Sequence, residues 1–271
     1  MASKSRVRNG YLDCSWGQLH YRSVNLDRDL PLLVMLHQSP LSSRNYQAAL
    51  PHLGDGFRVI ALDTPGFGQS SPPDRVWTVQ DYAQIALQAA DHLGVEQFSL
   101  FGRATGGVFA FVAALLAPQR VTRLVLHGMP VYTAEERTDR LANFAPPYEI
   151  DDEAGHLRWI WDRIHSEYPW IDGQLATQFC RDFLNAGPDF ATSYRSIWHY
   201  DLPAGFAAAG SQLPCPTLLL GGGADRIAFM HARAKALLPE AEEVFVPEAT
   251  DFIAEQDPVL FARIVTGFLA S

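Results

Sequence analysis

The sequence predicts an α/β protein with a mostly parallel central sheet, helices on both faces and an inserted helical cap. Two observations predict it. Short apolar runs that end in turn residues alternate with segments of helical period through the first half of the chain. That alternation then stops near Val131 and resumes near Leu213, a gap of the size a helical excursion would fill.

In chain order, residues 11–13 and 18–23 read as an antiparallel opening hairpin around Trp16-Gly17. Residues 32–36, 58–62 and 98–101 read as buried strands, and residues 43–53 and 78–93 as helices between them. Thr78 opens the second helix with Asp81 three residues on, a capping box. Residues 107–116 form a third helix, apolar nearly all round, which places it against the sheet centre. Residues 121–126, 217–220 and 244–246 supply further strands, and residues 258–269 a closing helix. Core and cap divide at 1–130 with 211–271, and 131–210. The cap is rich in aromatics, among them Trp159, Tyr168, Phe179, Phe190, Tyr194 and Trp198. Most of these make the cap's own small core, yet a lid must show some of them to the pocket beneath it, which favours an apolar or aromatic small-molecule substrate.

At 271 residues and 48% hydrophobic composition the chain can bury one large core. Its formal charge of -9 comes from acids and bases mixed along the whole length, with no basic stripe to follow a phosphate backbone, so nucleic acid is not expected as a partner. The opening MASKSRVRNG has no apolar run behind its basic residues, and the longest apolar stretch, residues 108–117, is too short to span a bilayer. A soluble cytoplasmic protein without membrane contact is expected, with a homodimer left open. Cys14, Cys180 and Cys215 have neither paired spacing nor a CxxC, and each reads as a buried small hydrophobe.

Three turns carry the chemistry. His37-Gln38-Ser39-Pro40 follows the first buried strand, Asp63-Thr64-Pro65-Gly66-Phe67-Gly68-Gln69-Ser70 follows the next, and Gly102-Arg103-Ala104-Thr105-Gly106-Gly107 stands at a strand-to-helix junction. A dinucleotide site is excluded for the third, which lacks GxGxxG spacing and an acid about 20 residues on. A P-loop is excluded by the absence of GK[ST]. In this order and spacing the turns resemble those of the α/β-hydrolase fold, as found in haloalkane dehalogenases, epoxide hydrolases and esterases: an HGxP turn with Gln38 in place of glycine, a DxxGxGxS loop, and the G-x-S-x-G elbow. The resemblance covers residues 30–130, with the last strands and helix fitting behind. A second resemblance, to bacterial hydrolase-like proteins with a GxHTG elbow that share the HQSP and DTPG turns, implies no particular activity.

The resemblance places Ala104 at the nucleophile position, where a methyl group can neither attack nor give up a proton. It makes Asp225, in Gly221-Gly222-Gly223-Ala224-Asp225, the triad acid, and puts Asp251 where relatives carry the triad histidine. None of the nine histidines lies beyond His231, so no Ser-His-Asp triad can be assembled. The backbone N–H groups of Ser39 and Thr105 are expected to converge on an oxyanion site, where one donor is worth ~3 kcal/mol in a barrier. The Thr105 side chain is expected to point away from the tip. Asp225 and Asp251 should face each other from adjacent loops and share a proton near neutral pH. Arg103 bridging them into an inert ion network is the rival reading. His127, at a strand's carboxyl end, is a candidate base, with an ordinary hydrogen-bonded pocket-wall histidine as the alternative. His37, Ser39, Arg103 and Thr105 are the candidate substrate-binding residues. One of His156, His165 and His199 could reach down from the cap, though their spacing suits no metal.

Three readings remain open on these residues. The first is a cofactor-free enzyme using acid/base chemistry of lyase, cyclase, decarboxylase or hydrolase type on a small apolar or aromatic carbonyl compound. The second is a ligand-binding pseudo-hydrolase without chemistry. The third is an ordinary hydrolase in which Ala104 replaces a native nucleophile, which Asp251 argues against, because a simple knockout leaves the histidine position alone.

Overall fold

A computed structural model of the chain describes residues 5–210 and 213–271. Strand β1 (Arg8–Cys14) folds back on β2 (Gly17–Val24) as an antiparallel hairpin, with Cys14 opposite Gly17. The remaining strands are β3 (Leu32–Leu36), β4 (Arg58–Leu62), β5 (Phe98–Arg103), β6 (Val121–His127), β7 (Thr217–Gly222) and β8 (Glu242–Val246). They form one eight-stranded sheet of order β1-β2-β4-β3-β5-β6-β7-β8, antiparallel up to β4 and parallel from there on. Parallel strands need crossovers and covered faces, which is why β3 and β7 are buried along their whole length.

Helices α1 (Leu50–Leu53), α2 (Val79–His92) and α3 (Thr105–Leu116) lie in the first half. Between β6 and β7 come α4 (Ala134–Asn143), α5 (Gly155–Glu167), α6 (Gly173–Ala186), α7 (Thr192–His199) and α8 (Leu202–Ala209). After β7 follow α9 (His231–Leu237), α10 (Ile253–Gln256) and α11 (Pro258–Ala270). Tyr82 of α2 and Phe109 of α3 stack over one sheet face, while α1 and α11 cover the other with Phe101, Val125 and Phe261. Side chains alternate across a strand, so Arg103 shares the face of Phe101, and His127 that of Val125. The helices between β6 and β7 enclose a third cluster that includes Ile160, Ile164, Phe179, Phe183 and Phe190, with Leu41 and Phe252 reaching into it from the core.

The α/β architecture and the Thr78–Asp81 capping box agree with the sequence. Three local features differ. Residues 43–53 are a 3-10 turn, Ser43–Tyr46, and a separate α1, because Pro51 has no N–H to continue one helix through both. Strands β5 and β7 run on through glycines that carry no strand propensity, since backbone pairing with β6 and β8 continues there. Only Cys215 of the three cysteines is buried, and Cys14 and Cys180 are half-exposed. No described helix is long and apolar enough to cross a membrane.

Candidate active site

The β5–α3 junction turns sharply enough that Ala104 is held at φ 46°, ψ -113°. A non-glycine residue there costs on the order of 1–3 kcal/mol, which the surroundings must impose. They do so by close approach. A Cβ on Gly102 would meet the Gly106 carbonyl oxygen at 2.2 Å, and one on Gly106 would meet the His37 oxygen at 2.5 Å. Gly106→Ala is therefore expected to lower stability by about 3 kcal/mol, read as the urea midpoint, whereas Gly173→Ala, whose added Cβ meets nothing within 4 Å, leaves it near the parent's. Ala104 is partly exposed although its neighbours are buried, and its N–H donates to the His127 carbonyl at 3.0 Å.

The HQSP turn packs directly against the elbow. His37 is a staple: its Nε2 accepts from the Thr64 N–H at 2.8 Å, so its proton sits on Nδ1 and goes to the Gln38 carbonyl at 2.8 Å. Burial lowers its pKa and keeps the ring neutral. The expected pair of oxyanion donors is not free. The Ser39 N–H is given to Thr105 Oγ1 at 2.7 Å, and the Thr105 hydroxyl donates to Ser39 Oγ at 3.1 Å. The Thr105 side chain thus turns toward the HQSP turn and ties it to α3, because a buried hydroxyl needs partners and Ser39 is within reach. The Thr105 N–H opens α3 and has no acceptor within the helix. Helix α7, between β6 and β7, reaches the same place: Ser39 Oγ hydrogen-bonds Ser193 Oγ, and the Tyr194 hydroxyl donates to the Ser39 carbonyl.

The DTPGFGQS loop is structural. Asp63 accepts from the Ser43 and Gln69 N–H groups at 2.7 and 2.9 Å and lies 2.7 Å from His20 Nδ1. Burial pushes its pKa up, but these partners and the nearby His37 outweigh it and hold the carboxyl at about 2. Gly68, at φ 57°, must be glycine, since a Cβ would come 2.1 Å from Asp63 Oδ2.

Asp225 and Asp251 follow β7 and β8, whose loops are joined by the Ala224 N–H donating to the Ala249 carbonyl at 3.0 Å. Asp225 Oδ1 accepts from the Ile227 N–H at 2.8 Å. Asp251 Oδ2 lies 3.2 Å from an Arg103 guanidinium nitrogen, and Asp251 Oδ1 is buried without a partner. Burial raises Asp251 to about 6; Asp225 adds to the rise and Arg103 opposes it. Among the described residues Arg103 pairs with Asp251 alone within 4 Å, and it stacks its guanidinium 4.7 Å over the Phe252 ring. At 4% exposure it is a buried ion. Its charge is held firmly despite burial, because Asp251, Asp225 and Glu255 surround it.

His127 lies beside Phe101, ring centroids 6.2 Å apart, on the α11 side of the sheet. Burial and the Arg103 charge push its pKa well below the ordinary value, so the ring is neutral, and Nδ1 has no partner. The cap histidines do not reach the site: His165 Nδ1 is 2.9 Å from the Trp161 carbonyl, His156 lies 3.6 Å from Asp151, and His199 is exposed. Among the described residues no group of three or more His, Cys, Asp or Glu is arranged to hold a metal ion. Sequence reasoning missed Ser193 and Glu255, and it named Tyr194 only as one of many aromatics without giving it a contact in the site. Glu255 sits beyond Phe252-Ile253-Ala254, a buried run whose final acid is the one available signal.

Comparisons with known proteins agree with this fold. A family model described as the alpha/beta hydrolase fold matches residues 31–169. The chain is 29% identical to haloalkane dehalogenase 2 of Mycobacterium tuberculosis, covering 94% of this chain and 92% of that protein. It is 28% identical to a 2-hydroxymuconate semialdehyde hydrolase of Pseudomonas putida, covering 79% and 77%. Among solved structures it superposes on a hydrolase from Pseudomonas aeruginosa PA01 with a TM-score of 0.78 at 24% identity, covering 97% and 98%, a likeness of fold.

Proposed function

The chain belongs to the α/β-hydrolase fold family, and from that premise we propose that it is a cofactor-free enzyme using acid/base chemistry, without a covalent intermediate, on a small apolar or aromatic carbonyl compound. Asp251 is the proton carrier. The observation that supports this reading best is its buried carboxyl, with one oxygen on Arg103 and the other unpartnered. A carboxyl that titrates at about 6 is ionised at pH 7 yet takes up a proton at little cost, which suits a general base or acid. Developing negative charge on a substrate oxygen would meet the Thr105 N–H and the positive end of α3. A carbonyl substrate fits that arrangement, and one relative is named for a semialdehyde.

An ordinary hydrolase inactivated at residue 104 would keep a base able to activate the nucleophile, and Asp251 sits instead on a buried arginine. A ligand-binding pseudo-hydrolase draws support from the Ser39 N–H already bonded within the protein. The two remaining readings separate with 5-nitrobenzisoxazole, whose ring opens in one step when a base removes one proton. The enzyme reading expects turnover rising with pH around a midpoint near 6, and a fall of about 100-fold or more in Asp251→Asn. Equal rates in parent and variant would sink it, and saturable binding without turnover would favour the pseudo-hydrolase.

A further inference from the structure

Away from Ala104, a cleft of about 450 Å³ separates the core from cap helix α6. Arg44 and Asn45 of the 3-10 turn and Glu255 of α10 line its core side, and Gln178 and Arg181 of α6 line its cap side. We propose that this cleft binds a small carboxylic acid that also carries a hydroxyl or ammonium group.

Three observations carry the assignment. First, the volume is that of a small-molecule site. Second, among the described residues neither Arg44 nor Arg181 pairs with a carboxylate within 4 Å. Two arginines converging on one cleft suit a carboxylate, whose planar oxygens match the guanidinium fork. The one further acid on the rim, Asp172, is occupied in capping α6 through the Leu175 N–H at 2.8 Å. Third, buried acceptors without a partner stand beside these cations. Asn45 is 6% exposed, its amide nitrogen donates to Glu255 Oε1, and its Oδ1 has no partner; Glu255 Oε2 has none either. Buried polar atoms are satisfied as a rule, so the unpartnered oxygen of Asn45, a residue that lines the cleft, is the place where a donor from outside the chain would be taken up by a small shift of the wall. A hydroxyl or ammonium on the same small molecule supplies it. Burial shifts Glu255 up to about 7, so it adds less negative charge than an ordinary glutamate would.

The test is calorimetric titration at pH 7 with L-malate and L-aspartate as probes, and it does not depend on any catalytic reading. Saturable binding of either probe is expected, weakened about tenfold or more by Arg181→Gln and abolished by Gln178→Trp, which fills the cleft without changing its charge. Succinate, which lacks the donor, is expected to bind about tenfold more weakly. Arg181 is exposed, so its variant folds as the parent does. Failure of both probes to bind at millimolar concentration, or binding that survives either substitution, overturns the assignment.

Discussion

Asp182→Asn is expected to stabilise the protein progressively more as pH rises from about 4 to 8, by on the order of 4 kcal/mol at the upper end. Asp182, on α6, is buried at 2% exposure and accepts from Ser42 Oγ at 2.9 Å. Burial pushes its carboxyl up to about 7, with Asp63 adding to the rise while Ser42, Arg44 and Arg22 oppose it. The native state therefore keeps a proton that the unfolded chain releases near pH 3.9. The group's stabilising contribution is fully present below that unfolded value and is lost as pH rises through about 7. An asparagine does not titrate, and its Oδ1 can still accept from Ser42. The parent's own profile does not isolate this group, because the lowered pKa values of His37 and His127 make their contribution present above their unfolded value and lost as pH falls. Urea unfolding of parent and variant at pH 5 and pH 8 gives the difference directly. A difference that does not change with pH would contradict the assignment.

Arg103→Leu is expected to cost about 3–5 kcal/mol at pH 8, because it leaves a buried carboxylate without its cation. The cost should shrink toward pH 5, where Asp251 takes up a proton. Arg103 is the strongest influence lowering Asp251, so its loss moves that carboxyl above 6. The midpoint for 5-nitrobenzisoxazole turnover should move up with it, leaving the variant slow at pH 7 and recovering at higher pH. Leucine keeps an apolar group against Phe252, so the packing lost is chiefly the cation over the ring. An unchanged midpoint would mean that Arg103 does not tune the base.

What was legible in the sequence is what the backbone demands locally. Gly102, Gly106 and Gly68 are each required by an atom a few residues away or by the adjoining strand, so a short motif carries them. The capping box at Thr78 is equally local. Asp251 was found because the resemblance puts it at the triad-histidine position after the last strand, although the strength of its tie to Arg103 depends on burial that sequence does not show. His127 illustrates a partial reading: its place at a strand end is visible, but counting by twos from Val125 already puts its ring on the α11 face. Ser193 and Tyr194 were out of reach, since they lie more than 150 positions from Ser39 in the chain. Only the packing of the helices between β6 and β7 onto the core brings them there.

The bonds from Ser193 and Tyr194 to Ser39 divide the lid into an anchored part and a loose one. Helix α7 is bolted to the floor, with Ile197 and Trp198 set into the main core. Helix α4 buries no side chain and is tied through its first turn by the partly exposed pairs Glu136–Arg233 and Arg137–Asp201, each worth up to ~1 kcal/mol. Of the two helices, α7 therefore has the firmer hold on the core.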